Sequence, residues 1–186
     1  MLYEAQEGTD AESTPIVLWL QGGPGASALL GNMYELGPYL LTEDLALREN
    51  PATWNNRFAM LFVEQPVGTG FSEPGSGGLA RTMLESTTGL YAGLQAFFAA
   101  HPALQRRPFF VAGESYAGKF VPSLGHFVLQ MEARHGRARV ELAAADALPV
   151  PEAAGALGAL GAPLFRLVGL AIGNGLTDPH TQVGGH

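Results

Sequence analysis

Apolar positions fall into a few compact blocks separated by Gly/Pro-rich stretches. Ile16 to Leu20 (IVLWL) is a continuous apolar run, β-branched and aromatic, with Pro15 before it and QGGPG after it. A run of that length without alternation predicts a strand buried on both faces, as in a parallel sheet. Ala59 to Val63 (AMLFV) predicts a second strand and leads into EQPVGTGFSEPGSGG, a long loop. Met83, Leu84, Leu90, Tyr91, Leu94, Phe97 and Phe98 then recur at helical spacing until Pro102. Phe109 to Ala112 (FFVA) predicts a third strand running into GESYAG. A second helix follows, with Phe120, Leu124, Phe127, Val128 and Met131 on one stripe and Gly136 as its C-terminal stop. Leu164 to Ile172 predicts a fourth strand, ending in the turn sequence GNGLTDP. Strands alternating with helices predict an α/β sheet.

Two stretches stand apart. Ala143 to Pro163 is rich in Ala, Gly and Pro and is read as a loop insertion. The tail Gln182 to His186 has no element to join in this reading. Met1-Leu2-Tyr3 reads as the close of a strand.

Composition narrows the function classes. Of 186 residues, 47% are hydrophobic and 15% charged, which is globular material of single-domain size. The net charge of −7 gives no footprint for nucleic acid or an anionic membrane. No apolar run is long enough to span a bilayer. The absence of cysteine excludes disulfides and thiolate metal sites and, taken alone, favours a reducing compartment. Met1 to Asp10 has no basic patch and apolar run of a signal peptide.

Two segments carry candidate chemistry. GESYAG (Gly113 to Gly118) lies between a strand and a helix, the context of a nucleophile elbow. Gly113 and Ala117 are small enough for a tight turn that lifts the Ser115 hydroxyl to the C-terminal edge of the sheet. The pattern departs from G-x-S-x-G at Ala117, and the competing reading is a serine that caps the helix. QGGPG (Gln21 to Gly25) follows the first strand, and its amides can approach a ligand closely. A plain Gly/Pro turn is the competing reading there.

Six segments, PIVLWLQGGPG, ELGPYL, RENPATWN, VEQPVGTGFS, GESYAGKFVP and GLAIGNGLTDP, stand in the order found in serine carboxypeptidases. The chain therefore resembles that family over Met1 to Pro179 apart from the Ala/Gly-rich insertion. Gln21, where Asn is more usual, resembles the vitellogenic-like branch. The resemblance implies an α/β-hydrolase fold, a mostly parallel central sheet flanked by helices, here expected to be cut at both ends. It implies Ser115 as nucleophile, the amides of Gly23 and Tyr116 as oxyanion donors, and Gln21, Gly22, Glu35 and Glu114 as the cluster holding the substrate's terminal carboxylate. Read singly, Glu35 and Glu114 are equally surface carboxylates.

Three carboxylates at contact cannot all be charged, so a protonated Glu pair is expected to bind free C-termini in acid. Peptide or protein C-termini are the implied partners, with no cofactor and no metal. The vacuole, lysosome or extracellular space is the implied location. An acyltransferase of the same fold and a non-catalytic fragment are the alternatives. Glu114, where acyltransferase and lyase relatives tend to carry Asp, favours the peptidase. The triad acid and base are expected on later strands. His101, His126, His135, His180 and His186 match no family histidine motif, and Asp178 reads as part of a structural turn.

Overall fold

The structure is a computed structural model that describes residues 1–6, 10, 12–136 and 160–184. A five-stranded sheet forms the centre, with strand order β1-β5-β2-β6-β7. Its strands are β1 (Leu2–Tyr3), β2 (Ile16–Leu20), β5 (Ala59–Phe62), β6 (Pro108–Glu114) and β7 (Arg166–Gly173). β5, β2, β6 and β7 run parallel, and β1 pairs antiparallel to β5. The apolar runs form these strands because both faces of the inner sheet are covered. Every residue of β2 and β5 is buried.

The pleat divides their side chains between two cores. Ile16, Leu18 and Leu20 join Leu61, Phe109 and Val111 on one face. Helices α2 (Met83–Ala100) and α3 (Ala117–Arg134) cover that face. They contribute Leu90, Tyr91, Leu94 and Phe98, and Phe120, Leu124, Phe127, Val128 and Met131. These are the helical stripes expected from the spacing. Tyr91 and Phe127 meet between the helices with ring centroids 5.1 Å apart. Burying each large apolar side chain of this kind contributes about 1.5–3 kcal/mol. Val17, Trp19, Met60 and Phe62 point to the other face, where Ala28 and Leu36 pack. Those two come from a short helix α1 (Ala28–Leu30), continued by one wide π-type turn (Gly31–Glu35), and from the residue after it.

The long helices stop where their sequences predict, α2 before Pro102 and α3 before Gly136. Thr82 caps α2 by accepting the Glu85 amide at 3.1 Å. Gly136, at φ +70°, follows α3 in the left-handed conformation of a helix stop.

Two features differ from expectation. A small hairpin of β3 (Tyr39–Leu41) and β4 (Leu47–Glu49) lies in the chain between β2 and β5. The tail does join an element: Pro179–Val183 forms α4, and Asp178 caps it by accepting the His180 amide at 3.1 Å. Gln182 folds back so that its amide donates to the Gly175 carbonyl at 2.8 Å, while its oxygen accepts from Thr177 and Asp178. Of the Ala/Gly-rich stretch, positions 143–159 lie outside the described residues. The carbonyls of Gly161 and Ala162 accept hydrogen bonds from Tyr91 and Gln95 on α2.

Candidate active site

The C-terminal ends of β2, β5, β6 and β7 converge on one edge of the sheet, and the loops that leave them meet there. β6 ends at Glu114, and α3 starts only three residues later. That abrupt change of direction forces Ser115 into φ +57°, a conformation that costs a non-glycine residue about 1 kcal/mol or more. Gly113 permits the turn, because a β-carbon there would fall 2.6 Å from that of Ala117.

The strained residue is held from both sides. Its amide donates to the Gly173 carbonyl at 3.1 Å, and its carbonyl accepts from Leu176 at 2.7 Å and Gly118 at 2.9 Å. Gly173 is the last residue of β7, and Leu176 lies in the turn that follows it. The serine does not cap the helix. Tyr116 occupies the cap position without a side-chain bond, and the exposed Ser115 hydroxyl makes no hydrogen bond among the described residues. The bend thus leaves the hydroxyl at the N-terminus of an 18-residue helix, where developing negative charge is favoured.

The QGGPG loop leaves β2 beside this bend. Gly22 lies so close that a β-carbon on it would stand 2.8 Å from the Ser115 β-carbon, the Tyr116 amide nitrogen and the Glu114 carbonyl oxygen. Only glycine permits that approach. Gly23 follows at φ +108°. Neither the Gly23 nor the Tyr116 amide donates to a backbone or side-chain acceptor among the described residues. Unpartnered amides of this kind can donate to a tetrahedral oxyanion.

The carboxylate cluster forms alongside. The Gln21 side-chain amide donates to Glu114 Oε1 at 2.6 Å. Its own oxygen is held by Trp19 Nε1 at 2.8 Å and the Gly31 amide at 3.1 Å, which fixes which end of the amide faces Glu114. Glu35 ends the wide turn after α1. Partial burial pushes its carboxyl above the usual Glu range, helped by the neighbouring charge of Glu114 and a hydrogen bond between the two carboxyls. Asn50 fixes that turn from below, donating to the Glu35 and Gly37 carbonyls at 3.0 and 2.9 Å.

Gln21, Gly22, Glu35, Glu114, Ser115 and Tyr116 therefore meet in one place, with Gly23 adjoining. Sequence reasoning missed the residues that orient them: Trp19, Asn50, and Glu64 at the end of β5. Trp19 and Asn50 look like core and turn residues in sequence, and their polar contacts exist only in the fold.

No described histidine reaches the hydroxyl by a hydrogen bond. His101 packs on the Phe97 ring, His126 bonds Gln130, His135 donates from Nδ1 to the Met131 carbonyl, and His180 lies in the first turn of α4. Asp178 is engaged as the α4 cap. Among the described residues, no cluster of three or more His, Cys, Asp or Glu could hold a metal ion, and no helix is long and apolar enough to cross a membrane.

A family model described as serine carboxypeptidase matches residues 1–186. Serine carboxypeptidase-like 50 of Arabidopsis thaliana is 40% identical over 187 residues, covering 99% of this chain and 36% of its own length. The human protein named Probable serine carboxypeptidase CPVL is 36% identical over 176 residues, covering 94% of this chain and 32% of its own. The crystal structure of a prohormone-processing carboxypeptidase from Saccharomyces cerevisiae superposes with a TM-score of 0.76 at 26% identity. It covers 97% of this chain and 34% of the yeast chain. The chain thus spans about a third of the length of these relatives.

Proposed function

The chain belongs to the serine carboxypeptidase family, with the α/β-hydrolase fold, and on that premise we propose that the whole protein releases C-terminal amino acids from peptides, in acid, through an acyl-enzyme on Ser115. The observation that supports this most is the contact of Gly22 with Ser115 and Tyr116, one residue from the Gln21–Glu114 hydrogen bond. In this reading, that contact brings Ser115 and the residues that recognise the terminal carboxylate within reach of the two ends of a single terminal residue.

In this reading the substrate's terminal carboxylate lies against Gln21, Gly22, Glu35 and Glu114. Glu35, already pushed toward its neutral form, donates a hydrogen bond to that carboxylate rather than repelling it. The scissile carbonyl then faces Ser115, whose hydroxyl oxygen attacks the carbonyl carbon. The amides of Gly23 and Tyr116 take the charge that develops on the carbonyl oxygen. The proton leaving Ser115 passes to a histidine that this reading assigns to later strands, with an acid behind it. That base returns the proton to the departing amino group. Water then cleaves the acyl-enzyme.

Glu114 at the position before the serine favours this peptidase reading over acyl transfer to an alcohol. Location in a vacuole, lysosome or the extracellular space follows from the family likeness.

The experiment compares a peptide having a free C-terminus with its C-terminal amide, each treated with the wild-type protein and with Ser115→Ala. Release of the last amino acid from the free acid, lost in Ser115→Ala, is the expected result. Transfer of an acyl group to an added alcohol without amino-acid release would establish the acyltransferase instead.

A further inference from the structure

We infer that Glu64 is a positioning residue that sets the recognition loop against the nucleophile, through a carboxylate that grips the start of α1. This rests on the reading of Gln21 to Glu35 as a site for a terminal carboxylate.

Glu64 leaves the end of β5, which lies next to β2 in the sheet. Its Oε1 accepts the Ser27 hydroxyl at 2.7 Å, and its Oε2 accepts the Ala28 amide at 2.9 Å. Ser27 in turn accepts the Leu29 amide at 3.1 Å. Two of the orphan amides at the start of α1 are thereby satisfied, one by the carboxylate and one by the hydroxyl it orients. The carboxylate is also confined from its own loop. A β-carbon on Gly70 would stand only 2.5 Å from the Glu64 carboxyl carbon.

The position of this grip gives it leverage. Upstream of Ser27 are Gln21, Gly22 and Gly23. Downstream, α1 and the wide turn run directly into Glu35. α1 has three residues and cannot hold its own place, because a single turn is an unfavourable helix nucleus. One carboxylate therefore fixes the middle of a segment whose two ends supply the loop against Ser115 and the acid that meets Glu114. Trp19 and Gly31 tie Gln21 from the other face, and Asn50 ties Glu35, but among the described residues only Glu64 and Ser27 bond α1's amides by side chains.

The test uses the wild-type chain with Glu64→Ala, Glu64→Gln and Ser27→Ala. In Glu64→Gln, the carbonyl still accepts the Ala28 amide, and the new NH2 donates to the Ser27 oxygen. Two readouts are taken. The first is amide hydrogen exchange over residues 22–35. The second is the affinity ratio between an N-acetylated dipeptide with a free C-terminus and its C-terminal amide, in mildly acid buffer.

Glu64→Ala is expected to speed exchange at Ala28 and Leu29 and to lower the acid-to-amide ratio by about tenfold, as a small misplacement of a recognition group does. Ser27→Ala should move both readouts the same way but less, and Glu64→Gln should hold both near wild type. General destabilisation would weaken both peptides together and leave the ratio unmoved. An unchanged ratio in a folded Glu64→Ala, or exchange unchanged there, overturns the inference. Should Glu64→Ala not fold, Ser27→Ala with wild-type exchange and ratio overturns it. A wild-type chain that binds acid and amide alike refutes the carboxylate site itself, and the exchange readout then still decides whether Glu64 grips α1.

Discussion

Replacing Gly22 with alanine adds one methyl group at the closest approach of the site. The new carbon would stand 2.8 Å from three atoms at once, all in or next to the elbow: the Glu114 carbonyl oxygen, the Ser115 β-carbon and the Tyr116 nitrogen. Ordinary contact begins at 3.4 Å. None of the three atoms belongs to a flexible side-chain end, so loop and elbow must separate by about half an ångström, at an overpacking cost of about 1–3 kcal/mol. In the proposed oxyanion site, that retreat moves Gly23, the next residue of the loop, away from Tyr116. Loss of one oxyanion donor costs about a hundredfold or more in turnover. Steady-state peptide hydrolysis paired with urea unfolding reads both effects. Gly93→Ala on α2 is the matched control: its β-carbon meets nothing within 4 Å, and alanine in a helix interior gains about 0.5–1 kcal/mol. Wild-type kcat/KM in Gly22→Ala, or a fall no larger than its unfolded fraction accounts for, would refute the assigned geometry.

The Glu35 shift predicts a direction for pH. Its folded-state pKa is raised, so the native protein holds the proton that the unfolded chain has already lost. Stability and free-acid peptide affinity should both fall as pH rises from the ordinary Glu range through the raised value; Glu35→Gln should flatten that stretch of both profiles, and an unaltered slope in the mutant would show that another group titrates. Ser115→Gly relieves the positive φ at a partly offsetting entropic cost. It should be more stable than Ser115→Ala by about 0.5–1 kcal/mol in urea midpoint analysis, and equal stability would mean that the bend is unstrained.

The inner strands were legible because their physics is local. Ile16 to Leu20 announces burial on both faces by its uninterrupted apolarity, and the strand-elbow-helix at Ser115 is a contiguous pattern. Six motifs in order carried the family. The β3–β4 hairpin was not legible. Its turn places Leu45 at φ +61°, where a glycine or asparagine would have signalled a reversal. Glu64 reads in sequence as the first residue of a loop, and its partners lie 36 and 37 positions away. The tail looked unattached because Gln182 bonds a turn that exists only once β7 is in place. Contacts that depend on two distant segments meeting leave no trace in spacing.

Ser115 is held through its amide by the last residue of β7 and through its carbonyl by Leu176 just beyond it. A shift of that strand end would free the serine to relax out of its cramped dihedral and carry its hydroxyl away from Gly22. The pose of this side chain is thereby tied to a strand far downstream in the chain, so the bend is complete only when both segments are in place.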